Sequence, residues 1–179
     1  MRFLKFALVA GSMLAAVAAS AQTPAPPAPP APPAAGGTPD KVPADIPYGQ
    51  SIGIELAKKV MAAAEAEGIK RGWKECIAVV DTNGDLVYFV RMEGAQVGSV
   101  VASQGKARTA ARYRRDTRIF YNLFETGHPY IATIDPTLVA SAGGYPLIEN
   151  GKVIGAIGCS GGTGDQDAAI CKAGAEVVK

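Results

Sequence analysis

The sequence predicts an α+β fold: one domain built on a mainly antiparallel sheet flanked by helices. Two observations carry that class. The dipeptides Asn83-Gly84 and Asn150-Gly151 each separate two apolar runs, and Asn-Gly supplies the positive φ values that tight hairpin turns demand. Helical patterns also lie before, between and after these hairpins, whereas a doubly wound parallel sheet needs strands and helices in strict alternation.

The domain is expected over residues 45–179, preceded by two segments of different character. Residues 1–21 read as a signal peptide. Arg2 and Lys5 form its positive end, Phe6 to Val17 is apolar, and Ala19-Ser20-Ala21 matches a small-residue cleavage site. The mature chain is then expected to begin at Gln22 and to be periplasmic or secreted. The apolar run falls short of the ~20 residues of a spanning helix, and no later run approaches that length, so no transmembrane segment is expected in the mature chain. Residues 22–44 form a Pro/Ala-rich linker. Eight of the thirteen prolines fall within 23–39, a composition that favours extended polyproline II over a packed core.

Within the domain, Ile52, Leu56, Val60 and Ala63 recur at helical spacing and predict a helix over 48–68, with Gly68 as its C-terminal cap. "CIAVVD" predicts a buried strand over 76–81, and "LVYFVRM" returns antiparallel over 86–92. Residues 98–113 predict a slim helix, since Gly105, Ala107, Ala110 and Ala111 allow close approach to a sheet or a subunit. A short helix is expected over 116–126. "TIDPTLVASAGG" reads as irregular with one short strand near Leu138. The second hairpin pairs "YPLIE" with "KVIGAIGCS", and a last helix is expected over 164–179, with Asp165 capping or charging its start.

Charge narrows the function classes. Eighteen basic residues oppose sixteen acidic ones, and removal of Arg2 and Lys5 with the signal balances the mature chain, which argues against general nucleic-acid binding. The three cysteines, Cys76, Cys159 and Cys171, allow at most one internal disulfide and leave a thiol over. The favoured reading makes at least two of them small buried apolar residues.

"GCSGG" at 158–162 is a literal G-x-S-x-G, the pattern of a hydrolase nucleophile elbow. Seventeen residues follow Gly162 and none is His; the single histidine, His128, lies upstream in an irregular loop. The stretch also lacks the Lys-Ser/Thr ending of a P-loop. Asp165 and Asp167 would occupy the positive helix end that an anion would seek. Ser160 therefore reads as structural, and the glycines as a sharp strand-to-helix turn.

Taken together, "IAVVDTNGDLVYFVRMEGA", "GKARTAA" and "GGYPLIENGKVIGAIGCSGGTGDQD" resemble the GlcG/HbpS family of haem-binding proteins, in order and over nearly the whole domain. Cys159 departs from the pattern, standing where relatives more often carry an aliphatic residue. The resemblance implies a profilin/PAS-like antiparallel sheet, a homo-oligomer, and haem as the cofactor. Haem degradation is the one activity it suggests; the sequence itself shows no dedicated base or nucleophile.

Haem iron takes His, Met, Cys thiolate or Tyr as axial ligand, and the propionates seek cations. His128, in "ETGHPYIA", is the one imidazole and the candidate metal ligand. "GKARTAARYRRDTR" holds six basic residues against one acid. On a helix, Arg108, Arg112 and Arg115 share one face, as do Lys106, Thr109 and Tyr113. Lys106 and Arg108 are candidate propionate anchors. The resemblance sets the helix with Lys106 and Thr109 beside the pocket and makes Thr109 an iron-side candidate. Met92 continues Leu86, Tyr88 and Val90 on one strand face and reads as pocket wall. Asp81 and Asp85 are accounted for by turn chemistry. The leading function is an exported haem-binding protein in haem or iron handling or redox sensing. The alternatives are a non-haem accessory module binding a small carboxylate on its arginines, and a structural oligomer without ligand.

Overall fold

The structure is a computed structural model and describes residues 45–179. The signal-peptide and linker assignments lie outside the described residues. The elements run α1 (Ile54–Arg71), β1 (Cys76–Val80), β2 (Leu86–Arg91), α2 (Ser99–Tyr113), α3 (Arg118–Glu125), α4 (Ile131–Ile134), β3 (Gly144–Glu149), β4 (Lys152–Ser160) and α5 (Gly164–Ala175). Both predicted hairpins form. They join through β1 and β4 into one antiparallel sheet of order β2-β1-β4-β3.

The two Asn-Gly turns are built differently. Asn150 and Gly151 both take positive φ, 50° and 72°, as a tight two-residue turn requires. In the first hairpin Gly84 alone does so. There the Asp81 carboxylate accepts the Asn83 and Asp85 amides at 2.8 and 2.9 Å, a side-chain-closed turn.

The sheet has two unlike faces. Ile77, Val79, Ile157 and Cys159 meet Val60, Met61 and Ala64 of α1 and Ile170 and Cys171 of α5. Ala78, Val80 and Ala156 meet Ala107, Ala110 and Ala111 of α2. Every residue of β1 is buried, because helices cover both sides of it. The predicted close approach of α2 is made to the sheet. Gly144 and Gly158 are paired in register, and a Cβ on Gly158 would collide with the Ser103 carbonyl and the Ala107 amide. One on Gly144 would lie 2.5 Å from the Lys106 carbonyl oxygen.

Cys159 and Cys171 form a disulfide that ties β4 to α5, with a Cα–Cα distance of 5.6 Å; Cys76 is free and buried. The sequence limit of one disulfide with a thiol over holds; all three cysteines are buried, as expected of at least two, but Cys159 and Cys171 are bonded to each other and are not simple apolar side chains. Cys159 faces α5, and α5 begins so soon after β4 that its second turn returns Cys171 opposite. Cys76, one strand over, is in register with Ser160. Replacing Cys159 and Cys171 together by Ala is expected to cost about 2–4 kcal/mol, read as a lower denaturant midpoint.

Element ends shift for local reasons. Residues before α1 run beside β4, with the Gly49 and Ile52 amides donating to the Val153 and Ile154 carbonyls at 2.8 and 2.7 Å. The helix continues through Gly68 and is capped by Gly72, φ 69°. Gly68 is instead buried, where a Cβ would lie 3.3 Å from Met92 Sδ. No strand forms near Leu138; residues 135–143 carry no regular element. The last helix stops at Ala175, and Val177 and Val178 fold onto the core.

Candidate functional site

The basic stretch is largely committed to structure. Helix α2 ends at Tyr113 because Arg114 turns left-handed, φ 54°, so Arg115 leaves the helical face it was expected to share. Arg112 donates to the Asn83 carbonyl at 2.9 Å and lies 3.8 Å from Asp135. Arg114 donates to the Ile46 carbonyl at 2.9 Å and covers the Tyr48 ring. Arg115 donates to the Tyr113 carbonyl at 3.0 Å, and Arg118 pairs with Asp165 at 2.7 Å. Among the described basic residues of this stretch, Arg108 is the one with no hydrogen bond or ion pair.

Arg108 borders an apolar groove of about 450 Å³ between α2 and the irregular segment after α4, walled by Val101, Ala102, Pro136, Leu138 and Val139. Gly105 makes room for that segment: a Cβ there would lie 2.5 Å from Val139 Cγ2. The Val139 amide donates to Thr109 Oγ1 at 2.9 Å, so the buried Thr109 hydroxyl anchors the groove wall from beneath.

Lys106 points elsewhere. Its Nζ lies 2.5 Å from Asp167 Oδ2, with both side chains 3% exposed. The other oxygen, Oδ1, accepts the Gly161 and Gly162 amides at 3.1 and 2.9 Å. Asp167 thereby fills the site that the glycine turn would offer an anion, as expected from its place at the helix start. Asp165 does not cap α5: Thr163 and Gln166 form a reciprocal capping box there. Beside the pair lies Glu75, fully buried, with neither carboxylate oxygen hydrogen-bonded. Burial pushes the Glu75 carboxyl up to about 8, with the charge of Asp167 acting in the same direction and that of Lys106 against it.

Ser160 is buried, its Oγ 3.2 Å from Ser99 Oγ. The His128 ring has Nδ1 3.4 Å from Thr126 Oγ1 and meets the Tyr130 ring edge-on. The only imidazole is thus engaged within the loop between α3 and α4, and the serine within the core. Met92 lines a separate cleft with Ile69, Trp73, Lys74 and Glu93. Of the predicted site residues, the structure brings Arg108 and Thr109 to one groove. Lys106 faces the Asp167 cluster, Met92 donates its amide to the carbonyl of neighbouring Glu75 at 2.9 Å, and neither Met92 nor His128 lines the groove. Among the described residues no group of three or more His, Cys, Asp or Glu is arranged to hold a metal ion, and no helix is long and apolar enough to cross a membrane.

Glu75 went unread in the sequence, and Asp167 was read only as a helix-end charge. A signal for Asp167 was present: with Ile170, Cys171 and Gly174 it lies on the buried stripe of α5, where a carboxylate needs a partner.

A family model described as "Haem degrading protein HbpS-like" matches residues 52–176. The chain belongs to the HbpS-like family. It is similar to Protein GlcG of Escherichia coli strain K12, with 39% identity over 106 residues, 59% of this chain and 78% of that protein. Among solved structures, a double mutant of Streptomyces reticuli HbpS superposes with a TM-score of 0.68 at 28% identity, covering 81% of this chain and 99% of that one. The structure of a PduOC:haem complex superposes at 0.67 and 22% identity, covering 72% and 96%, a likeness of fold. These likenesses agree with the α+β sheet architecture that the HbpS-like chain displays.

Proposed function

We propose that this HbpS-like protein binds haem in the groove between α2 and residues 136–139, as an exported protein of haem or iron handling or redox sensing. The observation that carries the reading is the pairing of apolar walls with one uncommitted cation. Val101, Ala102, Leu138 and Val139 suit a macrocycle, and Arg108 suits a propionate. Thr109 supplies a hydroxyl under the groove wall, and its bond to Val139 sets how closely that wall is held. Haem, when bound, would supply any redox or oxygen chemistry; the chain's residues bind it and limit its access to water. Family membership supports the same ligand. Export is supported by the Cys159–Cys171 disulfide, a bond at home in oxidising compartments. Homo-oligomerisation is supported by Val97 and Val101, 74% and 76% exposed on or beside the groove.

Haemin titrated into the mature chain is expected to give saturable binding with a shifted Soret band. Arg108→Ala should weaken it about tenfold, since a charged hydrogen bond is worth ~1.5 kcal/mol or more. His128 lies outside the lining of the groove, so His128→Ala is expected to leave the spectrum unchanged, and a changed spectrum would move the site to the α3–α4 loop. Absence of any saturable Soret change sinks the proposal. The unpaired Arg108 guanidinium also favours a second reading, a small-carboxylate site, for which short carboxylates but not haemin would raise the melting temperature.

A further inference from the structure

Three elements meet at the end of the sheet around charges that the groove does not use. Glu75 precedes β1, Lys106 comes from α2 and Asp167 from α5, and all three are buried. Gly161 lies directly over the acid: a Cβ there would stand 2.9 Å from the Glu75 carboxyl carbon. The Asp167 carboxylate is fully employed, one oxygen on Lys106 and the other on the Gly161 and Gly162 amides. The cluster holds a single cation for two acids; the acid left over lies against Asp167, and neither of its oxygens makes a well-formed hydrogen bond.

We propose that Glu75 is a proton-binding site whose ionisation sets it against Asp167 for Lys106, loosening the Gly161–Gly162 turn and shifting α2. Two carboxylates close together in a low-dielectric interior cannot both ionise cheaply around one ammonium. With Glu75 protonated, Lys106 and Asp167 form a neutral pair and the turn stays closed. Once Glu75 loses its proton, the extra charge repels Asp167 and draws on the same ammonium. Lys106 is one helical turn or less from Gly105 and Thr109, so strain on it reaches the groove wall. The other titratable groups around Glu75 are its neighbours Lys74 and Cys76, whose thiol is pushed up by burial, and Arg91 of β2, in register with Cys76. Ser160, from β4, does not titrate in this range. The inference concerns the ligand-free protein and stands apart from the haem proposal.

The sign follows from the carboxyl's raised value of about 8 in the fold against an ordinary 4.5. The folded state binds more protons between these two values, so stability declines as pH rises from about 4.5 through about 8 and levels beyond. The test is a pH titration of the full mature chain by carbon-13 NMR with labelled glutamate, the Glu75 carboxyl being assigned by its loss in Glu75→Gln. The expected result is a midpoint near 8 for that carboxyl, with amides of Ser103 to Thr109 and of Gly161 and Gly162 titrating at the same midpoint and staying flat in Glu75→Gln. A Glu75 midpoint below 6, or α2 and turn amides that move identically in Glu75→Gln, would overturn it. Glu75→Gln is close to isosteric, and its melting temperature should also lose the decline between pH 5 and 8.

Discussion

Asp167→Ala is expected to destabilise the domain by up to about 3–5 kcal/mol, the cost of breaking a buried ion pair, with Glu75 left as the neighbouring acid that can take up Lys106 in part. Three losses coincide. Lys106 keeps its charge in a site where 3% of its side chain is exposed, and the Gly161 and Gly162 amides lose their acceptor. A cavity also opens where the carboxylate stood between Lys106 and the Gly161 and Gly162 amides. Equilibrium denaturation of Asp167→Ala, Asp167→Asn and the double variant Lys106→Met with Asp167→Leu separates these terms. Asn retains an acceptor for the two amides and should lose less than Ala. The double variant should recover most of the loss, because replacing both charges removes the desolvation penalty along with the attraction. A loss below about 1 kcal/mol for Asp167→Ala would contradict a pair that joins α2 to α5.

Gly158→Ala is expected to cost about 3 kcal/mol, at the upper end of overpacking penalties. The added methyl would meet backbone atoms, the Ser103 carbonyl and the Ala107 amide, and not the movable end of a side chain. Relief requires lifting α2 off β4, which also separates Ala107, Ala110 and Ala111 from Ala78 and Ala156. A glycine beyond the contact gives the comparison. Gly53 has no neighbour within 4 Å of its Cβ position and no positive φ, so Gly53→Ala should change the denaturant midpoint little. Equal midpoints for the two variants would show that the helix seats on the sheet more loosely than the geometry states.

How much could be read without coordinates differs by element. The hairpins were legible because turn chemistry is local: Asn150-Gly151 takes two positive φ values whatever lies around it. The slimness of α2 was legible for a similar reason, since a run of Gly and Ala limits how far apart helix and sheet can sit. The end of α1 was not. Gly68 and Gly72 are equally able to cap, and packing of Met92 and Trp73 over Gly68 gives the cap to Gly72. The arginine face misled because spacing assumes a continuing helix, whereas Arg114 ends it.

The site divides along the same line. Residue types alone named Arg108, Thr109, Lys106, Met92 and His128 as groups suited to haem. Which of them share a surface depends on direction: neighbouring helix positions point Arg108 to the groove and Lys106 into the core, toward an acid 61 residues away. Composition and local pattern by themselves determined the α+β class, the two hairpins and the limit of one disulfide. Each rests on short-range stereochemistry or on the number of cysteines. Only the tertiary structure decided the Cys159–Cys171 pairing, the commitment of Lys106 to Asp167, the burial of Glu75 beside them and the lone availability of Arg108. Those follow from which distant residues share a desolvated space, and burial energies act on that shared space and not on sequence order.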